Sequence, residues 1–268
     1  MARLRVTILG CGSSGGVPRV AQGWGLCDPI EPRNRRRRCS VLVEREDTGG
    51  ITRVLIDTSP DLREQLIDAG VKVLDAVVYT HEHADHTHGI DDLRPLVILT
   101  RKRMPVYANQ GTLDLLQARF GYCFTTPPGS EYPPILTAHC IDNNGFFEIS
   151  GHGGPIRLQP FPLVHGNIVA LGFRIGDFAY TPDVSAIPED VVHHLDGLDC
   201  WVIDALRDTP HPTHFSLSDA LGWIERQRPL RAVLTNLHTD LDYRRLCREL
   251  PDGIAPAYDG MVIELDVN

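Results

Sequence analysis

The sequence is poor in the features that would place it in several familiar classes. It has no apolar run near the roughly 18–20 residues that a membrane span needs, so a transmembrane protein is not expected. It has no excess of positive charge. Lys and Arg number 26 against 35 Asp and Glu, a formal net charge of −9, so the surface on average repels phosphate backbones and long nucleic acid is not the expected partner. It has no Cys-x-x-Cys pair; its seven cysteines, at 11, 27, 39, 123, 140, 200 and 247, are odd in number and scattered, which fits reduced thiols rather than a disulfide framework. No leader is legible before the strand-like start Arg-Leu-Arg-Val-Thr-Ile-Leu, and a cytoplasmic protein is the expectation. No internal repeat or low-complexity linker divides the chain, so one domain over residues 1–268 is expected. What is present is 268 residues at 42% hydrophobic, enough to bury a core without disulfide staples, and twelve unevenly spread histidines.

Strand and helix patterns alternate along the chain. β-branched runs occur at Arg5–Leu9, Ser40–Glu44, Arg53–Asp57, Asp75–Thr80, Pro105–Ala108, Ile156–Phe161, Val169–Ile175, Phe178–Thr181, Asp199–Asp204, Ala232–Thr235 and Met261–Leu265. Ser59 with Pro60 opens a helix ending at Gly70, and Ser216–Asp219 reads as a capping box ahead of Ala220–Gln227. Gln110–Phe120 and Asp242–Leu250 are two further amphipathic candidates. The Pro- and Gly-rich stretch 121–154 predicts irregular loops and hairpins, and so does the Gly-rich, Arg-rich stretch 10–38.

The chemistry concentrates in Val77-Val-Tyr-Thr-His-Glu-His-Ala-Asp-His-Thr-His-Gly89. An apolar strand runs directly into His81, His83, Asp85 and His86. In extended backbone His81 and His83 point the same way and can close on one metal ion, after which a turn aims Asp85 and His86 at a neighbouring ion. A solvated polar loop would account for a lone histidine there, but not for four ligand-type side chains within six residues after a buried strand.

This stretch resembles the signature of the metallo-β-lactamase superfamily, metal-dependent hydrolases with an α/β fold built as a four-layer αββα sandwich. The resemblance extends from residue 4 to 265 and implies further roles. Asp57 matches an early strand-end Asp that buttresses the metal loop. His165 matches the third histidine of the first metal, Asp183 the carboxylate that bridges both ions, and His238 the last histidine of the second. Superfamily members commonly place that last ligand directly after a Leu-Thr pair, where this chain has Asn236. His238 is preferred because imidazole binds borderline metals far better than an amide does.

Four more segments are similar to the phosphoribosyl cyclic phosphate phosphodiesterases: Leu9–Pro18, Arg38–Val43, Thr213–Leu217 and Tyr258–Ile263. More distantly they resemble tRNA 3′-processing endonucleases and the maturation protein of pyrroloquinoline quinone synthesis. His214 matches the extra histidine that these branches place near the scissile phosphate, with His211 a weaker rival and Arg94 a weak candidate for substrate binding. The phosphodiesterase branch carries a cysteine cluster for a structural zinc in its first long loop. Here only Cys27 and Cys39 are available, and two thiols do not close a tetrahedral site, so no structural zinc is expected. Arg33 and Arg35–Arg38 form a basic run that reads as a solvated or salt-bridged face, or more sharply as a subunit contact or phosphate-steering edge.

The implied cofactors are two divalent ions, zinc by the His and Asp donor set, with manganese or iron chemically acceptable. With Asp85, a bridging Asp183 and a hydroxide, such a site keeps one net positive charge, suited to a monoanionic phosphodiester. The expected function is hydrolysis of a small cyclic phosphodiester by a metal-activated hydroxide, with Asp85 and His214 at the reacting centre. The alternatives are a thioester or other acyl hydrolase on the same ions, an RNA-processing nuclease, and a non-catalytic metal- or nucleotide-binding protein. A homodimer is the commonest assembly for such chains.

Overall fold

The computed structural model describes residues 2–143 and 145–266. Two seven-stranded sheets make up its centre. The N-terminal sheet uses β1 (Arg3–Gly10), β2 (Ser40–Asp47), β3 (Gly50–Ile56), β4 (Ala76–Val78), β5 (Met104–Ala108) and β6 (Leu136–Cys140). The second uses β7 (Phe147–Ile149), β8 (Ile156–His165), β9 (Ile168–Ile175), β10 (Phe178–Thr181), β11 (Cys200–Asp204), β12 (Arg231–Thr235) and β13 (Ile254–Pro256). The last strand, β14 (Val262–Asp266), returns to pair antiparallel with β1 at the edge of the first sheet.

Strand periodicity sorts the apolar side chains into three layers. Val54, Ile56, Ala76 and Val78 face the second sheet and meet Phe173, Phe178, Tyr180, Val202 and Val233 in the central core. The intervening Leu55 and Val77 point outward, onto Leu62 and Leu66 of α1 (Leu62–Asp68), Leu96 of α3 (Arg94–Thr100) and Leu116 of α4 (Gln110–Phe124). On the far side Trp201, Ile203 and Leu234 pack on Ile224 of α5 (Leu217–Gln227) and Leu246 of α6 (Tyr243–Glu249). Helix, sheet, sheet, helix is therefore the layer order, the αββα sandwich that the resemblance implies. A one-turn helix, α2 (Ala84–Thr87), lies in the histidine segment. Among the described residues no helix is long and apolar enough to cross a membrane.

The capping box is present: Ser216 Oγ accepts from Asp219 N–H and the Asp219 side chain accepts from Ser216 N–H. The first helix starts later than Ser59–Pro60 suggests. Ser59 is buried, its hydroxyl donates to Gln65 Oε1 at 2.8 Å and its carbonyl accepts from Leu62 N–H at 2.9 Å, so residues 59–61 are a turn and α1 begins at Leu62. The 121–154 stretch is less irregular than its composition predicts. It holds the end of α4, kinked at Phe120, and both β6 and β7, the edge strands of the two sheets. Edge strands this short and half-exposed carry too little alternation to be seen in sequence. The same holds for β13.

Candidate metal centre

Six site-bearing segments end at one rim of the sandwich. β3 delivers Asp57, β4 runs on through Tyr79 and Thr80 to His81, β8 ends at His165, β10 precedes Asp183, β11 ends at Asp204 and β12 precedes Asn236. β10, β11 and β12 are parallel, and β8 is brought parallel to them through two antiparallel steps, so all their C-terminal ends face the same way. Backbone freed from the ladders there is what lets side chains converge.

The loop carrying His83, Asp85 and His86 is fastened to the end of β3. Thr58 N–H donates to His86 O at 2.8 Å and Gly89 N–H to Thr58 O at 2.9 Å. Gly89 is required by this close approach, because a Cβ there would stand 2.0 Å from the Ser59 carbonyl oxygen. Asp57, buried and at φ +66°, accepts three bonds: from Thr80 N–H and Thr80 Oγ1–H at 2.8 Å each, and from His86 Nδ1–H at 2.7 Å. Those bonds fix the His86 ring and leave its Nε2 as the inward-facing nitrogen.

Near that nitrogen candidate donors gather in overlapping groups: His81, His83 and His165; His81, His86 and Asp183; His165, Asp183 and His214, the last of these expected at the reacting centre rather than as a ligand, while Asp85 is in none of the groups among the described residues. His81 Nε2 and His165 Nε2 lie 3.0 and 3.2 Å from His83 Nδ1. His165 Nδ1 donates to the Thr213 carbonyl at 2.7 Å, so its Nε2 presents a lone pair. His86 Nε2 lies 2.9 Å from Asp183 Oδ2 and 3.6 Å from Asp85 Oδ2. Asp183 Oδ2 is buried without a hydrogen bond. Several histidine nitrogens and two carboxylates converge on one small buried volume, an arrangement that a cation would balance. The donor set therefore fits divalent metal ions.

Burial holds His81 well below the usual histidine range, and neighbouring His86 adds to the effect. Burial would lower His86 too, but Asp183, Asp57 and Asp85 outweigh it and raise it well above that range. Burial pushes Asp183 up, and the surrounding imidazoles overcome it and hold it well below an ordinary carboxylate. Asp183 is thus a carboxylate kept charged by the imidazoles around it.

His214 stands at the edge of the cluster, its ring centroid 4.6 Å from that of His165. Its Nδ1 bonds Asp204 Oδ2 at 2.9 Å. Burial lowers its pKa, but Asp204 and Asp183 prevail and push it up to about 9. Asp204 is fully buried, and burial lifts its carboxyl to about 7. It also accepts from Val184 N–H at 3.0 Å and Asn236 Nδ2–H at 3.1 Å. Sequence reasoning missed Asp204; its only signal was an Asp closing the apolar strand Cys200–Asp204.

The structure separates the two candidates for the last ligand. Asn236, at φ +62°, is inside, with Nδ2 3.2 Å from Asp183 Oδ1 and 3.1 Å from His214 Nδ1. His238 is turned to the rim, where Nδ1 meets Asp240 Oδ1 at 3.2 Å and Nε2 meets Arg19 Nη1, and it is in none of the three ligand groups among the described residues. The His211 ring lies 5.2 Å from that of His214, tilted by 51°. Arg94 is engaged elsewhere, with Asp91 Oδ1 at 2.6 Å and the Tyr122 ring.

The loop of residues 10–38 lies against the segment that follows β12, where Leu237 N–H donates to Cys11 O at 2.8 Å and Ser13 N–H to Leu237 O at 3.3 Å. Gly10 and Gly12 serve close backbone approach, whereas Gly16, Gly23 and Gly25 take the left-handed backbone of turns. A Cβ at Gly10 would be 2.0 Å from Arg38 O, and one at Gly12 would be 2.9 Å from Arg36 Cβ. The arginine run is divided by strand-like alternation. Arg36 is buried and donates to the Leu241 carbonyl at 2.7 Å and the His238 carbonyl at 3.3 Å. Arg37 and Arg38 pair with Asp68 and Asp61, while Arg33 and Arg35 lie over the Tyr243 and Trp24 rings. Cys27 contacts Arg36, and Cys39 contacts the Gly12 carbonyl and Thr235.

Residues 52–236 match the model of the β-lactamase superfamily domain. The solved structure of a new diphosphatase from the PhnP family is 37% identical, with a TM-score of 0.88 over 99% of this chain and 98% of that one. An octanoyltransferase of Porphyromonas gingivalis is 34% identical over 98% of this chain and 52% of its own length. A ribonuclease Z of Bradyrhizobium diazoefficiens is 28% identical over 53% of this chain and 45% of its own. The chain thus spans about half the length of the curated relatives it matches. With the four layers, the His-x-His-x-Asp-His loop and the matched family model in agreement, the chain belongs to the metallo-β-lactamase superfamily.

Proposed function

We propose that the chain is a metal-dependent hydrolase of small phosphoesters, a cyclic phosphodiester of the ribose cyclic phosphate or cyclic nucleotide type suiting the site best. His81, His83, His165 and Asp183 would hold one ion, and Asp85, His86 and Asp183 a second. Divalent ions there, zinc by the donor set, would supply Lewis-acid stabilisation of phosphoryl charge and a nucleophile from water at neutral pH.

The observation that carries this reading is the His214–Asp204 pair, 2.9 Å apart beside the cluster. With Nδ1–H committed to Asp204, His214 has Nε2 to hold a proton for a leaving oxygen. Attack on phosphorus breaks the ring P–O bond, and the departing alkoxide takes that proton to become a hydroxyl of the phosphomonoester product. An alkoxide leaving group needs such a donor, whereas the thiolate of a thioester departs readily without one, so the pair favours phosphoester over acyl chemistry. Asn236 and Val184 N–H add bonds to Asp204 that keep the carboxylate in place. A second reading is a phosphoanhydride substrate, favoured by the 37% identical diphosphatase.

Purified protein with measured zinc or manganese content should be offered 2′,3′-cyclic nucleotides, a ribose cyclic phosphate, a diphosphate and an acyl thioester. Turnover of the cyclic esters is expected, and His214→Ala should lower it about 10²- to 10⁴-fold at unchanged metal content. Turnover of the diphosphate alone would select the second reading. Turnover of the thioester alone, or full activity in His214→Ala, would overturn the phosphoester assignment.

A further inference from the structure

The arginine run borders a groove of about 690 Å³ on the outer face of the N-terminal sheet, a size within the roughly 300–1,000 Å³ of small-ligand sites. Leu9 and Leu42 lie at its floor, with α1 on one side and Val262 of β14 on the other. No member of the metal cluster lines it. Along residues 33–36 the side chains divide: Asn34 and Arg36 are buried, whereas Arg33 and Arg35 are exposed and border the groove. Asn34 Nδ2 donates to Asp28 O at 3.0 Å and to Asp242 Oδ2 at 2.7 Å. Anchoring the inward pair fixes the outward pair without spending its charge. Arg33 sits in the corner of two near-perpendicular rings, 5.0 Å from the centroids of both Tyr243 and Tyr258, and Arg35 lies 5.3 Å from that of Trp24. Packing on ring faces braces a guanidinium and leaves its N–H edge open.

Charge sets these two apart from the rest of the groove. Five arginines and four carboxylates line it, in a chain of net charge −9. Arg53 is paired with Glu44 at 2.7 Å and Arg37 with Asp68 at 2.6 Å, and Arg5 stands across the ladder from Glu44 and Glu264. Glu31, the carboxylate nearest Arg33 in sequence, accepts instead from the Arg33 backbone N–H at 3.2 Å and from Arg244 Nε–H at 2.6 Å. Among the described residues neither Arg33 nor Arg35 has a carboxylate within ion-pair distance. Burial raises Asp259, next to Tyr258, to about 7, so at neutral pH it opposes an anion with only part of a charge. Two braced guanidiniums with open edges match phosphate oxygens. The apolar floor leaves room for an organic body, and Glu46, without an ion pair among the described residues, can accept from its hydroxyls.

We propose that this groove is a second ligand site, apart from the metal centre, that binds a small organic phosphate of mononucleotide size, with Arg33 and Arg35 holding the phosphate. The inference does not depend on which bond the metal centre breaks.

Calorimetry on the zinc-loaded protein, with adenosine 5′-monophosphate, adenosine and inorganic phosphate as probes, tests it. The nucleotide should bind at least about tenfold more tightly than either of the others. Arg33→Gln and Arg35→Gln should each weaken it about 10- to 100-fold, and Arg33→Lys should keep more affinity than Arg33→Gln. Val262→Glu, at a position 40% exposed on the opposite wall, should weaken it by like-charge repulsion while leaving both arginines in place. These positions lie outside the metal cluster, so such losses locate the ligand in the groove. The inference is overturned by the absence of nucleotide binding to the wild type. It is equally overturned by inorganic phosphate or adenosine binding as tightly as the nucleotide, or by unchanged nucleotide affinity when Arg33 and Arg35 are both replaced by Gln.

Discussion

Replacing Asp57 by Asn would test whether the metal loop is held by one buried carboxylate. Three donors converge on its two oxygens: the Thr80 amide and hydroxyl and the His86 ring. An Asn side chain keeps one oxygen and turns an NH₂ group towards at least one of those donors. One or two buried donors would lose their acceptor, at about 1–3 kcal/mol each, so the metal-free protein should lose about 2–4 kcal/mol. The φ of +66° adds no further penalty, because Asn tolerates left-handed backbone about as well as Asp. Asp57→Ala would lose every bond and add about 1–2 kcal/mol of backbone strain, and should be the worse of the two. Without Asp57 to fix its tautomer, His86 should bind metal about 10- to 100-fold more weakly. Urea unfolding of chelator-treated protein and competition with a zinc indicator measure the two effects. An Asp57→Asn protein with wild-type midpoint and metal affinity would refute the reasoning.

Three further outcomes follow from the geometry. Asn236→His places an imidazole beside Asp183 and should tighten the more weakly held ion by at least about tenfold, seen as a steeper second step in a metal titration. Arg36→Met leaves the Leu241 carbonyl without its donor, while the His238 carbonyl and Asn34 Oδ1 keep only the Leu241 and Tyr243 amides, and should cost about 1–3 kcal/mol in urea unfolding; Arg36→Lys should rescue little, lacking the planar fork. Asp259, raised by burial to about 7 although it accepts from Arg37 and Cys11 N–H, binds a proton in the folded state that the unfolded chain releases near pH 4. Its contribution is therefore full below about pH 4 and lost as pH rises to about 7. The stability gap between wild type and Asp259→Asn should shrink by about 1–3 kcal/mol from pH 5 to pH 8; a constant gap would count against the shift.

Half of the candidate ligands could be read along the chain because they are local. His81, His83, Asp85 and His86 occupy six consecutive residues, and the strand before them is apolar enough to announce a buried edge. His165 and Asp183 each follow a strand, so their order along the chain carried them. Asp204 was invisible for the opposite reason. It closes an ordinary buried strand, and its partner His214 is ten residues away across a loop whose path no local pattern specifies. Arg19 and His238 were separated by more than two hundred residues until the loop of residues 10–38 folded back along Leu237.

Periodicity and local spacing thus determined the alternation of strands and helices and the metal loop, since both are properties of the chain itself, while the four-layer class and the buttressing Asp57 came from the resemblance that this loop carries. Which of Asn236 and His238 faces Asp183 was decided only in three dimensions. The left-handed backbone at Asn236, with Leu237 bonded to Cys11 and the His238 amide to Leu206, turns the amide inward and the imidazole to the rim. That choice rests on long-range hydrogen bonds, and long-range bonds leave no period in a sequence.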